Sequence, residues 1–177
     1  MGRNVLLPIG ISKRLDVLAG LNEEVNGILL YESQGDSCPI KKLFMLGVGS
    51  EGSVWAQQDR LEVADEFLRR YTTYNYVRFH THSKGTIEKF GDYYAWHFSE
   101  EDIKIIGTRL KSNEDFIAML VTPRTKLLCG KDRPRLRITK NPLEYEEIDR
   151  VLEQRLKRIG KDLGYYGRIG FQAKRRR

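Results

Sequence analysis

The chain has 177 residues, 40% hydrophobic and 31% charged, the profile of a globular domain large enough to bury a core without staples. Its two cysteines, Cys38 and Cys129, stand apart, which excludes a disulfide framework and a cysteine-rich zinc site. No apolar run approaches the ~20 residues that span a bilayer and no secretory leader pattern opens the chain, so the sequence predicts a cytoplasmic protein with no membrane partner.

The net charge of +7 is uneven. Residues 131–177 hold 15 Lys or Arg against 7 Asp or Glu, whereas the first 130 hold 16 against 17. The basic character belongs to the C-terminal quarter, which ends in Ala173-Lys174-Arg175-Arg176-Arg177. Such a tail is either a solvated extension or a non-specific contact for an acidic protein or nucleic acid.

In chain order, residues 12–21 read as a short helix with Ser12 as N-cap. Residues 25–32 (VNGILLYE) read as a strand, Asp36 to Pro39 as a turn, and 40–48 as a second strand. Residues 57–70 carry Leu61, Ala64, Phe67 and Leu68 at helical spacing. Residues 76–82 alternate as a strand, and 83–98 form a connection containing Gly and aromatic residues. A helix over 100–111 places Ile103, Ile106 and Leu110 on one face. Strands follow over 116–123, 126–131 and 135–140, then a charged amphipathic helix over 143–159 behind Asn141-Pro142. This mixture predicts an α/β fold, a central sheet flanked by helices over residues 1–140, with a C-terminal helix and basic tail over 141–177.

Two of the three histidines share residues 80–82. In a strand, Val77, Phe79 and Thr81 face one way and Arg78, His80 and His82 the other. Alternate residues lie about 6.5–7 Å apart along a strand, close enough for both imidazoles to reach one metal at about 2.0–2.1 Å. A third ligand is offered by Ser99-Glu100-Glu101-Asp102. Ser99 reads as an N-cap with an acid three residues on, which fixes the Asp102 carboxylate at a helix start. If that start abuts the histidine strand, His80, His82 and Asp102 form a three-ligand set with an open fourth position, the catalytic form of a zinc site. A water on zinc is acidified and needs a base to take its proton, and the Glu23-Glu24 pair places a carboxylate at the mouth of the 25–32 strand.

Glu24 to Leu29 (Glu-x-x-Gly-Ile-Leu), then His80-Thr81-His82, then Ser99 to Asp102 (Ser-x-x-Asp), in that order, resemble the JAMM motif of the MPN-domain metalloproteases. The resemblance covers about residues 5–130. It implies an MPN fold with a curved mixed sheet, a Zn2+ ion on His80, His82 and Asp102, Glu24 as general acid/base and Ser99 supporting the oxyanion. It also implies a zinc-dependent isopeptidase whose substrate is a ubiquitin-like protein conjugate. Sixteen residues, Ser83 to Phe98, separate the second histidine from the serine, more than the family usually has. This interval contains Asp92 and His97, two further ligand candidates, and Phe90, Tyr93, Tyr94, Trp96 and Phe98, either a substrate clamp hinged at Gly85 and Gly91 or a satellite hydrophobic cluster. Two other functions fit the same sequence: a non-catalytic MPN scaffold, and a nucleic-acid protein whose Tyr165, Tyr166 and Phe171 interleave with the C-terminal basic residues.

Overall fold

A computed structural model describes residues 2–140 except 51, 53, 55, 57 and 71. The helix expected over 143–159 and the basic tail lie outside the described residues. Seven strands form one mixed sheet: β1 (Asn4–Pro8), β2 (Val25–Glu32), β3 (Ser37–Val48), β4 (Tyr74–Thr81), β5 (Ile117–Val121), β6 (Lys126–Gly130) and β7 (Arg135–Thr139). Their spatial order is β6-β5-β4-β2-β3-β1-β7. β2 runs antiparallel to both β3 and β4, and β4 runs parallel to β5. The two outermost strands, β6 and β7, touch each other, so the sheet curls nearly closed.

The strand β2 falls where the sequence places it, because its apolar run is buried on both faces. On one face Leu29, Phe79 and Met119 pack with Ile11, Leu15 and Leu18 of α1 (Ile9–Ala19). On the other, Ile28, Leu30, Phe44 and Leu46 meet Ala64 of α2 (Gln58–Arg70). Phe79 is fully buried, and burial of such a side chain is worth about 1.5–3 kcal/mol. A third cluster, Ile106, Phe116 and Ala118, seats α4 (Glu100–Ser112) beside β5.

Several expectations are corrected. β1 has no counterpart among the expected strands; its five residues are too few to show a period, and its pairing with both β3 and β7 supplies the missing stabilisation. α1 starts at Ile9 behind Pro8, whose ring fixes a φ of −58°, and Ser12 is buried one turn inside the helix rather than capping it. β3 begins at Ser37, within the expected turn, because Asn4 to Leu6 of β1 pair with residues 37–39. The 83–98 connection contains a helix, α3 (Lys84–Phe90), and a 3-10 turn over Asp92–Ala95. Ile103 is 51% exposed: in the first turn of α4 the inward position belongs to Asp102, and the apolar stripe begins at Ile106. No helix among the described residues is long and apolar enough to cross a membrane.

Candidate metal centre

His80 stands on the half-buried face of β4, opposite the core side occupied by Val77, Phe79 and Thr81. His82 follows immediately, and its backbone N–H donates to Val121 O at 3.0 Å, extending the pairing with β5 by one rung. α4 aims its first turn at this point. The capping box forms in full: Asp102 N–H donates to Ser99 Oγ (3.1 Å) while Ser99 N–H donates to Asp102 Oδ2 (2.8 Å). The carboxylate so fixed lies with Oδ1 3.2 Å from His80 Nε2 and Oδ2 3.3 Å from His82 Nε2.

These spacings suit a shared cation. Four ligands at about 2.0–2.1 Å in a tetrahedron are about 3.3 Å from one another. His80, His82 and Asp102 are the group of His, Cys, Asp or Glu side chains that, among the described residues, could hold a metal ion. His80 Nε2 is buried and, although 3.2 Å from Asp102 Oδ1, has no aligned hydrogen-bond partner among the described residues, which leaves it available as a ligand. His82 is oriented from behind. Its Nδ1 lies 2.9 Å from Tyr94 O, and since a carbonyl only accepts, Nδ1 carries a proton, which leaves Nε2 as the ligand atom of the neutral ring.

The electrostatics reflect three groups pressed together. Burial alone would raise the Asp102 pKa, but the adjoining His80 and His82 imidazoles and the hydrogen bonds from Ser99 hold it well below the usual carboxylate range. Burial alone would lower the His82 pKa; its bonds to Asp102 and Tyr94 O and the charges of Asp102 and Glu24 outweigh that and raise it.

Glu24 is 5% exposed, just ahead of β2, while Glu23 beside it points to solvent. Its backbone is held by Gly49 N–H donating to Glu24 O (2.9 Å), and the next residue by Val25 N–H donating to Thr81 Oγ1 (2.8 Å). Its Oε1 accepts from Thr86 Oγ1 at 2.8 Å. Thr86 in turn accepts from Gly52 N–H (3.2 Å) and lies 3.0 Å from Ser83 Oγ, the N-cap of α3, whose hydroxyl donates to Asn22 O (2.6 Å). Burial raises the Glu24 pKa, opposed by the Thr86 bond and the charges of His82 and His80. A proton can therefore reside on this carboxylate more readily than on an exposed one. Three residues on, Gly27 is needed by packing: a Cβ there would meet Phe44 O at 2.2 Å and the Phe79 ring at 2.5 Å.

The structure thus brings together His80, His82, Asp102 and Ser99, with Glu24 close enough to feel their charges. Asp92 and His97 are drawn elsewhere. Asp92 pairs with Arg124 at 3.0 Å, and His97 stacks on Tyr93 with Nδ1 3.1 Å from Tyr93 O. The aromatics divide: Tyr94 and Phe98 turn in toward His82 and His80, with ring centroids at 5.4 and 6.1 Å, while Phe90, Tyr93 and Trp96 are about half exposed. Thr86, the Tyr94 carbonyl and Asn26 were missed from the sequence. Ser83-x-x-Thr86 was readable as a helix start; a backbone carbonyl leaves no trace in sequence, and Asn26 was visible only as one polar residue in an apolar strand.

No family model matches the chain, and no curated protein matches it. Among solved structures, it is similar to the solution structure of protein DSY2949 from Desulfitobacterium hafniense, at 15% identity and a TM-score of 0.50, covering 80% of this chain and 97% of that one. This likeness extends to the fold alone.

Proposed function

We propose that the protein is a zinc-dependent hydrolase of peptide or isopeptide bonds of the JAMM/MPN type, acting on conjugates of a ubiquitin-like protein. The observation that carries this reading is the convergence of two imidazole Nε2 atoms on the Asp102 carboxylate, Oδ1 3.2 Å from His80 and Oδ2 3.3 Å from His82, with the ligand atoms of all three side chains within 4.8 Å of one another, beside a buried glutamate with a raised pKa. Two nitrogens and one oxygen favour zinc over magnesium or calcium, which take oxygen ligands. When bound, zinc supplies a Lewis acid for the scissile carbonyl and an acidified water.

The chain's own residues do the rest. Glu24 accepts the proton of the attacking water and returns it to the leaving amine, a shuttle suited by its burial and by the Thr86 bond that fixes Oε1. Ser99 Oγ donates to Asp102 Oδ2 at 2.7 Å; in the reaction its hydroxyl turns from that oxygen to the developing oxyanion. The exposed Phe90, Tyr93 and Trp96 offer apolar area for gripping the substrate chain.

The test is metal analysis of the purified chain together with cleavage of an isopeptide-linked ubiquitin-like conjugate by zinc-loaded wild type and Glu24→Gln. Near one equivalent of zinc in both, with cleavage by the wild type alone, supports the proposal. Equal cleavage by both removes Glu24 from the chemistry. Zinc binding without cleavage in either points to the scaffold alternative. The nucleic-acid alternative rests on residues 141–177, outside the described residues, and requires salt-dependent binding of single-stranded nucleic acid.

A further inference from the structure

Asn26 in β2 is the register partner of His80 in β4, so the two side chains stand on one face of the sheet. Asn26 is 4% exposed. Its Nδ2 donates to Val54 O at 3.4 Å, which fixes the amide's direction, since the reverse orientation would set two acceptor oxygens against each other. Oδ1 is then buried with no hydrogen-bond partner among the described residues. A buried oxygen without a donor is unfavourable, and an apolar side chain of the same size would avoid it. Among the described residues, the other buried side-chain atom in this state is His80 Nε2, directly across the ladder. An ion on His80, His82 and Asp102 accounts for that nitrogen but not for the amide oxygen, which calls for a hydrogen donor.

Val54, the residue that holds the amide, lies in the segment that follows β3. The same segment meets Glu24 through Ser50 O, which accepts from Glu24 N–H at 3.4 Å, and meets Thr86 through Gly52 N–H. Asn26 thus stands where this segment, the base and the histidine strand come together. We propose that Asn26 is a substrate-positioning residue whose Oδ1 accepts a backbone N–H from an extended polypeptide laid across the face that carries His80. The proposal rests on the hydrolase reading in one respect, that the ligand is a polypeptide.

The experiment uses the zinc-loaded full chain carrying Glu24→Gln, so that the probe survives, and measures fluorescence anisotropy with a fluorescein-labelled extended peptide ending in Gly-Gly. Analogues replace each backbone N–H in turn by an ester oxygen. One replacement is expected to weaken binding about tenfold. Adding Asn26→Leu should weaken the parent peptide by a similar factor and abolish the penalty of that replacement, with a melting temperature equal to or above that of the parent protein. Asn26→Asp, which keeps an oxygen there, should retain the penalty. An ester penalty unchanged in Asn26→Leu, unchanged affinity in that variant, or its unfolding would overturn the assignment, the last because it marks the side chain as structural. Cleavage of the conjugate by the wild type alongside any of these leaves the hydrolase standing and removes only Asn26; no cleavage and no binding of any peptide removes both.

Discussion

His82 donates through Nδ1 to the carbonyl of Tyr94, 2.9 Å away, so a residue of the long interval before Ser99 sets the tautomer of a candidate ligand. Deleting residues 84–95 removes this acceptor without removing a ligand. Metal affinity is expected to fall about 10–100-fold, the usual effect of losing such a partner, while Tyr94→Phe, which keeps the carbonyl, leaves it unchanged. Competition against a chromogenic chelator measures both.

Asp102 is placed to serve both an ion and the helix. Asp102→Ala should reduce bound zinc to background, and in chelator it should still lower stability by about 1 kcal/mol, because the N-cap loses its reciprocal bond. Elemental analysis and urea unfolding read the two effects separately. Metal loss without any destabilisation would show that the capping box contributes nothing to α4.

Glu24 gives a pH signature in the metal-free protein. Its pKa in the folded chain is raised above the ordinary 4.5, so folding favours the protonated form. That contribution is fully present below the unfolded value and is lost as pH rises through the folded one. Glu24→Gln, neutral throughout, should match wild type below pH 4.5 and exceed it in stability at neutral pH. Unfolding midpoints at the two pH values check the sign; a variant less stable at neutral pH contradicts the raised pKa.

Thr86 holds Glu24, the proposed base, through its hydroxyl. Thr86→Val removes the hydroxyl that donates to Glu24 Oε1 and accepts from Gly52 N–H, leaving buried groups unpaired at a cost of about 1–3 kcal/mol. Turnover should fall chiefly in kcat, with KM little changed, and Thr86→Ser should restore most of it. Steady-state kinetics on the conjugate separate this from general damage, which would move both constants.

Much of the frame was legible because it follows from pattern. Val25 to Glu32 is apolar and buried nearly throughout, and its bounds were read correctly. His80 and Asp102 were legible as a strand face and a capped helix start. The rest depends on tertiary pairing. Asn4 to Pro8 is a strand because β3 and β7 flank it, not because five residues carry a period. Asp92 and His97 have the chemistry of ligands, and only the positions of Arg124 and Tyr93 show that they are engaged elsewhere. Asn26 could not be singled out until its register with His80 was known.

The interval between the second histidine and Ser99 is fastened at both ends. Near its start Ser83 Oγ bonds Asn22 O and Thr86 bonds Glu24; near its end Tyr94 O takes the His82 proton donor and Ala95 O accepts from Thr122 Oγ1 at 2.9 Å. Lys89, Phe90 and Gly91, between these two sets of ties, are exposed. A trypsin nick after Lys89 would therefore produce two fragments that stay clasped to the same body, and the cut chain would keep its imidazoles and carboxylates in register although its covalent thread had been severed.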